Sequence, residues 1–364
     1  MCAALFAAAA CGETHPAKAQ HAADSVRAAT DSVASPAGYA PPAQCAQAPV
    51  RIVRVVNDTA AAHDSAKAKE AVITPPPKSR SRAAANKKGR AYADTVRAPP
   101  EIPASLPGSL FPGCRVLAYY GNPLSKRMGV LGALPAESML AKLARHAKEY
   151  QALDSAMPVI VALQLVTPVA QAAPGGGGKY RLRMKDSTIE HFAALAEKAH
   201  GLLVLDMQVG KSTVGDELVP LMPYLQRPNV HLALDAEFSV KRKDKRPGQV
   251  IGTLDASDVN LAIDTLAALV TRYHLPPKML VVHRFTIPML THAPGIKLDP
   301  RVQVVLDMDG FGPPEDKYGS YGAYAHDRPV EFPGVKLFFK QDVPMLTPRQ
   351  VLGLDPQPVY VQYQ

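Results

Sequence analysis

The sequence predicts a single (β/α)8 TIM barrel, an α/β fold, over residues 111–364, preceded by a long N-terminal tether. Three observations carry this prediction. Eight short apolar runs recur along the region, most intervals between them have the apolar periodicity of an amphipathic helix, and roughly 250 residues is the usual size of such a barrel. Continuous Val, Ile and Leu runs alternating with helices are typical of buried parallel strands. A doubly wound open sheet is the alternative architecture.

The eight predicted strands share an apolar body and a polar C-terminal end. They are 115–120, 158–164, 202–208, 230–237, 278–284, 302–309, 335–341 and 358–363. Between the first two, residues 136–153 place Met139, Leu143 and Tyr150 on one helical face. Asp255 is positioned to cap a later helix. Since the sequence stops after the eighth run, we expect the eighth helix to be absent or supplied by the segment before the first strand.

The first 110 residues are predicted to lie outside the barrel. Residues 1–11, MCAALFAAAAC, resemble a truncated lipoprotein signal peptide whose lipobox ends at Cys11, the residue that would carry the lipid. An Ala-rich disordered start is the alternative reading. Residues 12–110 are rich in Ala, Pro, Ser and Lys. Because such a composition buries too little apolar surface to offset the ordering entropy, we predict a disordered linker.

Charge and cysteine content exclude several classes of protein. Residues 1–100 hold 13 of the 41 Lys and Arg residues and 7 of the 32 Asp and Glu residues, which is +6 of the total net charge of +9. The barrel region is therefore nearly balanced, and we expect no basic face, no nucleic-acid partner and a monomer. Only Cys114 of the four cysteines lies near the barrel. We therefore expect neither a disulfide framework nor a structural zinc site within it.

Polar residues at the strand ends predict an open site at one mouth of the barrel, because this fold builds its sites at the C-terminal ends of its strands. Four acids at the ends of the fourth and sixth strands are the candidate catalytic residues: Asp235, Glu237, Asp307 and Asp309. The candidate substrate-binding residues are Tyr120, Asn122, Gln164, Asp206, Gln208, His283, Arg284, Lys340 and Gln362. A purely structural alternative is a buried salt-bridge layer in which the basic side chains neutralise these acids.

The fourth strand ends in Asp235-Ala-Glu237, which is similar to the end of the fourth strand in chitinase-like and lysozyme-like barrel glycosidases. In those enzymes the glutamate protonates the leaving oxygen. The resemblance implies that Glu237 is a general acid and Asp235 its partner, with a second carboxylate from Asp307 or Asp309. Neighbouring acids raise each other's pKa, which suits a proton donor. The chain has no Trp, so tyrosines would have to stack on the sugar.

Two other functional classes use the same residues. A divalent-metal hydrolase or lyase would bind Mg²⁺ or Mn²⁺, since oxygen-rich sites with one His suit these ions. Its candidate ligands are Asp206, Asp235, Glu237, His283 and Asp307. The third class is a glycan-binding lipoprotein without catalytic activity. The leading hypothesis, a glycoside hydrolase-like enzyme, needs no cofactor.

Several motifs resemble those of a family of bacterial envelope proteins, lipoproteins with a TIM-barrel domain. They are YYGNPLSKRMGVLG, LDMQVGKSTV, NVHLALDAEF, VVHRFT, DMDGFG and the terminal VYVQYQ. The resemblance implies a barrel in the cell envelope, held at the membrane through its lipid or secreted, and it implies no reaction. We therefore expect an envelope-tethered barrel whose partner is a carbohydrate polymer.

Overall fold

The computed structural model describes Cys45 and residues 100–364. The predicted signal segment with Cys11, and nearly all of the predicted linker, lie outside the described residues.

Eight parallel strands form a closed barrel, which confirms the predicted fold class. They are β1 (Arg115–Gly121), β2 (Val159–Val166), β3 (Leu202–Met207), β4 (Val230–Asp235), β5 (Lys278–Arg284), β6 (Val302–Met308), β7 (Phe332–Leu337) and β8 (Tyr360–Tyr363). Each strand pairs with its neighbours in sequence, and β8 closes the barrel against β1. The open-sheet alternative is wrong.

Helices pack around most of this barrel. They are α1 (Val130–Ala133), α2 (Ala136–Leu153), α3 (Asp186–Lys198), α4 (Val214–Leu218), α5 (Met222–Leu225), α6 (Ala256–Tyr273), α7 (Pro314–Tyr321) and α8 (Pro348–Leu352). The predicted cap of α6 is confirmed, because the Asp255 side chain accepts from Ser257 N and Asp258 completes a capping box. None of the helices in the described part is long and apolar enough to cross a membrane.

Alternation along the strands divides the buried side chains into two sets. The larger set packs between the strands and the helices. The smaller set fills the barrel interior and includes Val116, Ala118, Ala162, Val204, Ala233, Val281 and Val305. Continuing the same alternation toward the strand ends brings polar residues into the interior, so the C-terminal mouth is lined from within.

The seventh strand differs from its prediction. It begins at Phe332 rather than at residue 335 and ends at Leu337, so Lys340 lies beyond the strand and is exposed. The sequence Phe-Pro-Gly at the start of β7 is not typical of a strand. Gly334 is nevertheless required there, because the neighbouring strand β6 packs too closely for a side chain. A Cβ there would lie 2.9 Å from Val305 Cγ1 and 3.0 Å from Asp307 Oδ1. The inward-pointing lysine of β7 is Lys336.

The N-terminal end of the barrel also differs from the prediction. Cys45 forms a disulfide with Cys114, the residue directly before β1, so the expectation of no disulfide in the barrel region is wrong. The backbone N–H groups of Leu110 and Phe111 donate to Gln303 Oε1 at 2.8 and 3.1 Å. These two residues are buried, and the packed unit therefore begins just before residue 111.

Candidate functional site

A group of buried polar side chains, here called the mouth cluster, fills the C-terminal end of the barrel interior. Its members are Tyr120, Gln164, Asp206, Gln208, Asp235, Glu237, His283, Asp307, Asp309, Lys336, Tyr360 and Gln362. All eight strands contribute to it, either from within the strand or from the residues directly after it. Most of the side chains predicted from the strand ends therefore do meet at one place.

His283 lies at the centre of the mouth cluster, between acids. Its Nε2 lies 2.9 Å from Asp206 Oδ2, and its Nδ1 lies 3.3 Å from Asp307 Oδ2 and 3.2 Å from Asp309 Oδ2. Burial alone would lower the pKa of His283, but these carboxylates raise it well above the usual value. His283 is therefore an imidazolium at neutral pH, with Nε2 donating to Asp206 and Nδ1 in ion-pair contact with Asp307 and Asp309.

Lys336 supplies the second positive charge. Its Nζ lies 3.1 Å from Asp309 Oδ1 and 3.9 Å from the centroid of the Tyr120 ring. Burial opposes the charge, yet Asp309 and Asp235 raise the pKa of Lys336. In return, although burial favours the protonated form of Asp309, Lys336 and His283 lower its pKa. Asp309 is therefore ionised.

Asp235 is held in the opposite protonation state. Burial raises the pKa of Asp235 to about 8, with contributions from Asp206 and Asp309. Gln208 Nε2 donates to Asp235 Oδ2 at 3.0 Å and to the Tyr120 hydroxyl at 3.2 Å. The other carboxyl oxygen of Asp235 accepts from the Glu237 backbone N–H at 3.1 Å. Asp235 thus fixes the turn that carries Glu237.

Glu237 is the most accessible acid of the mouth cluster. It lies in a 3-10 turn, Ala236–Phe238, that directly follows β4, and its side chain is half-buried. Burial and the nearby Asp309 raise the pKa of Glu237, while Lys336 and His283 partly oppose the shift. Asp309 is 6% exposed and Asp307 is 0% exposed. A ligand entering the mouth meets Glu237 first, then Asp309, and does not reach Asp307.

Three side chains from β2 and β8 lead by hydrogen bonds to Asp206. Tyr360 Oη and Gln362 Nε2 both donate to Gln164 Oε1, and Gln164 Nε2 donates to Asp206 Oδ2 at 2.5 Å. Gln164 and His283 share Asp206 Oδ2, so this chain of hydrogen bonds holds that oxygen beside His283. Tyr360 was not predicted, although its inward position follows from alternation with Gln362.

Three predicted residues lie away from the mouth cluster. Asn122 holds loops together, since its Nδ2 donates to Val166 O at 2.9 Å. Arg284 points outward, because its neighbour His283 points inward, and its guanidinium packs over the Tyr324 ring at 5.6 Å. Lys340 is exposed beyond β7. None of the three is placed to contact a ligand together with Glu237.

A second buried ion pair supports Lys336 from outside the barrel. Lys317 of α7 lies 2.9 Å from Asp342 Oδ2, and both side chains are 1% exposed. Lys317 Nζ also donates to the backbone oxygen of Lys336 at 2.6 Å. Asp342 accepts from Gly312 N and Phe338 N. Sequence reasoning missed this pair, because no motif or periodicity connects residues so placed.

The mouth cluster does not fit the divalent-metal alternative. Both nitrogens of His283 face carboxylates, and the Lys336 ammonium lies against Asp309. A metal ion bound here would stand beside two positive charges. Among residues 100–364, no group of three or more His, Cys, Asp or Glu side chains is arranged to hold a metal ion.

No protein-family model and no curated protein matches the chain.

Proposed function

We propose that the chain is a glycoside hydrolase-like barrel that cleaves a polysaccharide by carboxylate acid/base chemistry. The observation that supports this most is that the surroundings shift the pKa values of two acids at the mouth in opposite directions. The environment raises the pKa of Glu237 and lowers that of Asp309. Carboxyl groups whose pKa values are pushed apart are what acid-assisted hydrolysis requires.

In the proposed reaction, Glu237 gives its proton to the glycosidic oxygen as the bond from that oxygen to the sugar carbon breaks. Asp309 supplies the second carboxylate, either taking a proton from the attacking water or bonding to the sugar carbon before water releases it. Lys336 and His283 keep Asp309 ionised. Asp235 holds the turn that positions Glu237 and does not itself meet the substrate.

Three features support a location in the cell envelope. The Cys45–Cys114 disulfide is typical of proteins outside the reducing cytosol. The lipobox-like segment ending at Cys11, and the resemblance to bacterial envelope proteins, favour a lipid-anchored or secreted protein. The proposed partners are thus a carbohydrate polymer and, if Cys11 is modified, the membrane.

The test is Glu237→Gln, assayed by release of reducing ends from a panel of neutral and acidic polysaccharides. Loss of a general acid lowers turnover by about 100-fold or more, and the melting temperature should barely change because Glu237 is half-buried. We expect wild-type activity to fall as pH rises through the raised pKa of Glu237, because the acid then loses its proton. The matched control is Glu149→Gln on α2, an exposed glutamate, which should leave turnover unchanged.

Full activity of Glu237→Gln would refute its role as general acid. Binding of a polysaccharide without cleavage by the wild type would instead favour the glycan-binding lipoprotein.

A further inference from the structure

Two loops on the C-terminal side of the barrel concentrate positive charge. Residues 179–185, between β2 and α3, have the sequence KYRLRMK, and residues 241–246, after β4, have the sequence KRKDKR. Together they hold nine basic residues and one acid. The near balance of charge over the whole barrel region predicts no basic face, and that prediction is wrong here because the acids are gathered elsewhere.

Hydrogen bonds join the two loops into one surface through the loop that follows β3. Lys211 N donates to Lys179 O at 2.7 Å, and Lys211 Nζ donates to Lys243 O at 2.8 Å. Gly210, at φ 64°, permits this approach, because a Cβ there would lie 2.5 Å from Tyr180 O. We call Lys179, Lys211, Lys243, Lys245 and Arg246 the basic rim.

The charge of the basic rim is not neutralised locally. Nearby, Arg181 and Arg183 are bound by the buried Glu217, and Arg242 is paired with Asp244. Among the described residues, no carboxylate lies within ion-pair distance of the five rim side chains. An external anion would therefore find cations that are still available.

Two concavities give this surface the shape of a binding site. One, of about 460 Å³, is lined by three cations and one acid, together with Ser212, Val219 and Pro220: Lys179, Arg181, Arg183 and Asp216. The other, of about 240 Å³, is lined by four cations and one acid, together with Tyr180 and Gln249: Lys211, Lys243, Lys245, Arg246 and Asp244. In each of them cations outnumber acids, and Tyr180 and Gln249 add a hydroxyl and an amide group beside the cations of the second, which suits a polymer carrying both hydroxyl and anionic groups.

The basic rim is continuous with the mouth cluster. The base of the first loop is bonded to it, since Ala170 N donates to Gln208 Oε1 at 3.1 Å. The second loop returns to the proposed acid, since Gly252 N donates to Glu237 O at 2.6 Å. A chain lying along the rim would thus pass the mouth beside the half-buried Glu237.

We propose that the basic rim binds the anionic groups of an acidic polysaccharide, so that the substrate of the barrel is a polyanionic glycan rather than a neutral one. The part about cleavage rests on the proposed function, whereas the part about binding does not. Nucleic acid is less well matched, because single strands bind on stacking aromatics. Tyr180 is the one aromatic side chain among the residues that line the two concavities, and it is covered by Lys211 at 4.9 Å.

The test compares the full-length wild type with the charge-reversed pair Lys179→Glu/Lys243→Glu. The matched control is Lys148→Glu/Lys297→Glu, two exposed lysines outside the rim with the same change in charge. Because the basic N-terminal residues are present in all three proteins, their contribution to binding cancels. Binding is measured to polygalacturonate, dextran sulfate, a phosphodiester-linked teichoic acid, neutral dextran, single-stranded DNA and phosphatidylglycerol vesicles. The three anionic glycans distinguish carboxylate, sulfate and phosphate as the recognised group.

We expect at least one anionic glycan to bind and neutral dextran not to bind. The rim variant should raise Kd by about tenfold or more, and the control by less than about twofold. Binding should weaken as salt rises from about 50 to about 200 mM, and less steeply in the rim variant. An equal loss of affinity in the control pair would overturn the proposal, as would binding of DNA or vesicles as tight as that of every glycan.

Glu237→Gln separates this inference from the proposed function. If that variant stops cleavage while the rim pair leaves Kd unchanged, the hydrolase stands and the rim proposal fails. If the rim pair abolishes glycan binding while no glycan is ever cleaved, the rim proposal stands and the hydrolase fails.

Discussion

The free energy of unfolding of the Glu331→Gln variant, measured relative to that of the wild type, should be larger at neutral pH than at acidic pH. Glu331 is 8% exposed at the start of β7, and its Oε2 accepts from Val304 N at 2.6 Å. Burial raises the pKa of Glu331 from 4.5 to about 8, and the hydrogen bond from Val304 only partly opposes the shift. Glutamine keeps an oxygen for that hydrogen bond and cannot ionise.

The direction follows from proton binding. Below about pH 4.5 the carboxyl group of Glu331 is protonated in both the folded and the unfolded protein. Between about pH 4.5 and 8 the unfolded chain loses this proton while the folded chain keeps it. The free energy of unfolding of the wild type therefore falls as pH rises through this range. From about pH 4.5 to 7 the wild type should lose about 3 kcal/mol relative to Glu331→Gln. Any change in the free energy of unfolding that the amide itself causes is the same at both pH values, so it cancels when the two pH values are compared.

The assay is urea unfolding, followed by circular dichroism at about pH 4.5 and about pH 7, with Glu149→Gln as the exposed control. Asp235 titrates in all three proteins, so its contribution drops out of the comparison. A difference in the free energy of unfolding between Glu331→Gln and the wild type that is equal at the two pH values would refute the reasoning.

Two further predictions concern stability. Lys317→Met should lower the free energy of unfolding by about 3–5 kcal/mol, because it leaves the buried carboxylate of Asp342 without its cation; chemical denaturation measures this, with the exposed Lys148→Met as control, and a loss no greater than the control's would contradict it. Cys114→Ser should lower it by about 4 kcal/mol under the chain-entropy account of a disulfide closing a loop of about 70 residues. The wild type in reductant should match that variant, and a reductant-insensitive wild type would show that Cys45 and Cys114 are not bonded.

The barrel could be predicted from sequence because its signal is local. An apolar run with a polar C-terminal end appears in nearly every strand, and each run reports its own burial whatever its partners are. The same property placed Asp206, Asp235 and His283 at one mouth, since parallel strands bring their C-terminal ends together. The predicted start of the seventh strand was wrong because Pro333 and Gly334 interrupt the apolar pattern. Their presence depends on contacts with β6 that are not local.

The choice of cation at the mouth shows where strand-end reasoning fails. Lys340 lies at the C-terminal end of the predicted seventh strand, whereas β7 ends at Leu337 and its inward lysine is Lys336. Likewise Arg284, next to the inward His283, must point outward. Alternation along the strand separates His283 from Arg284, but it places Lys336 and Lys340 on the same side, and only the end of β7 at Leu337 excludes Lys340. Alternation does not find Lys317, whose role depends on how α7 packs under β7.

The disulfide also fixes where the barrel is held. Cys45 is joined to the end of the barrel opposite the mouth, at the start of β1. If Cys11 carries a lipid, the 34 residues from Cys11 to Cys45 limit the distance from membrane to barrel to roughly 110 Å when fully extended. Without the disulfide the limit would be set by the path to Cys114, roughly 340 Å. Formation of the Cys45–Cys114 disulfide would then reduce the greatest distance between membrane and barrel to about a third. The mouth would remain at the end of the barrel away from the attachment.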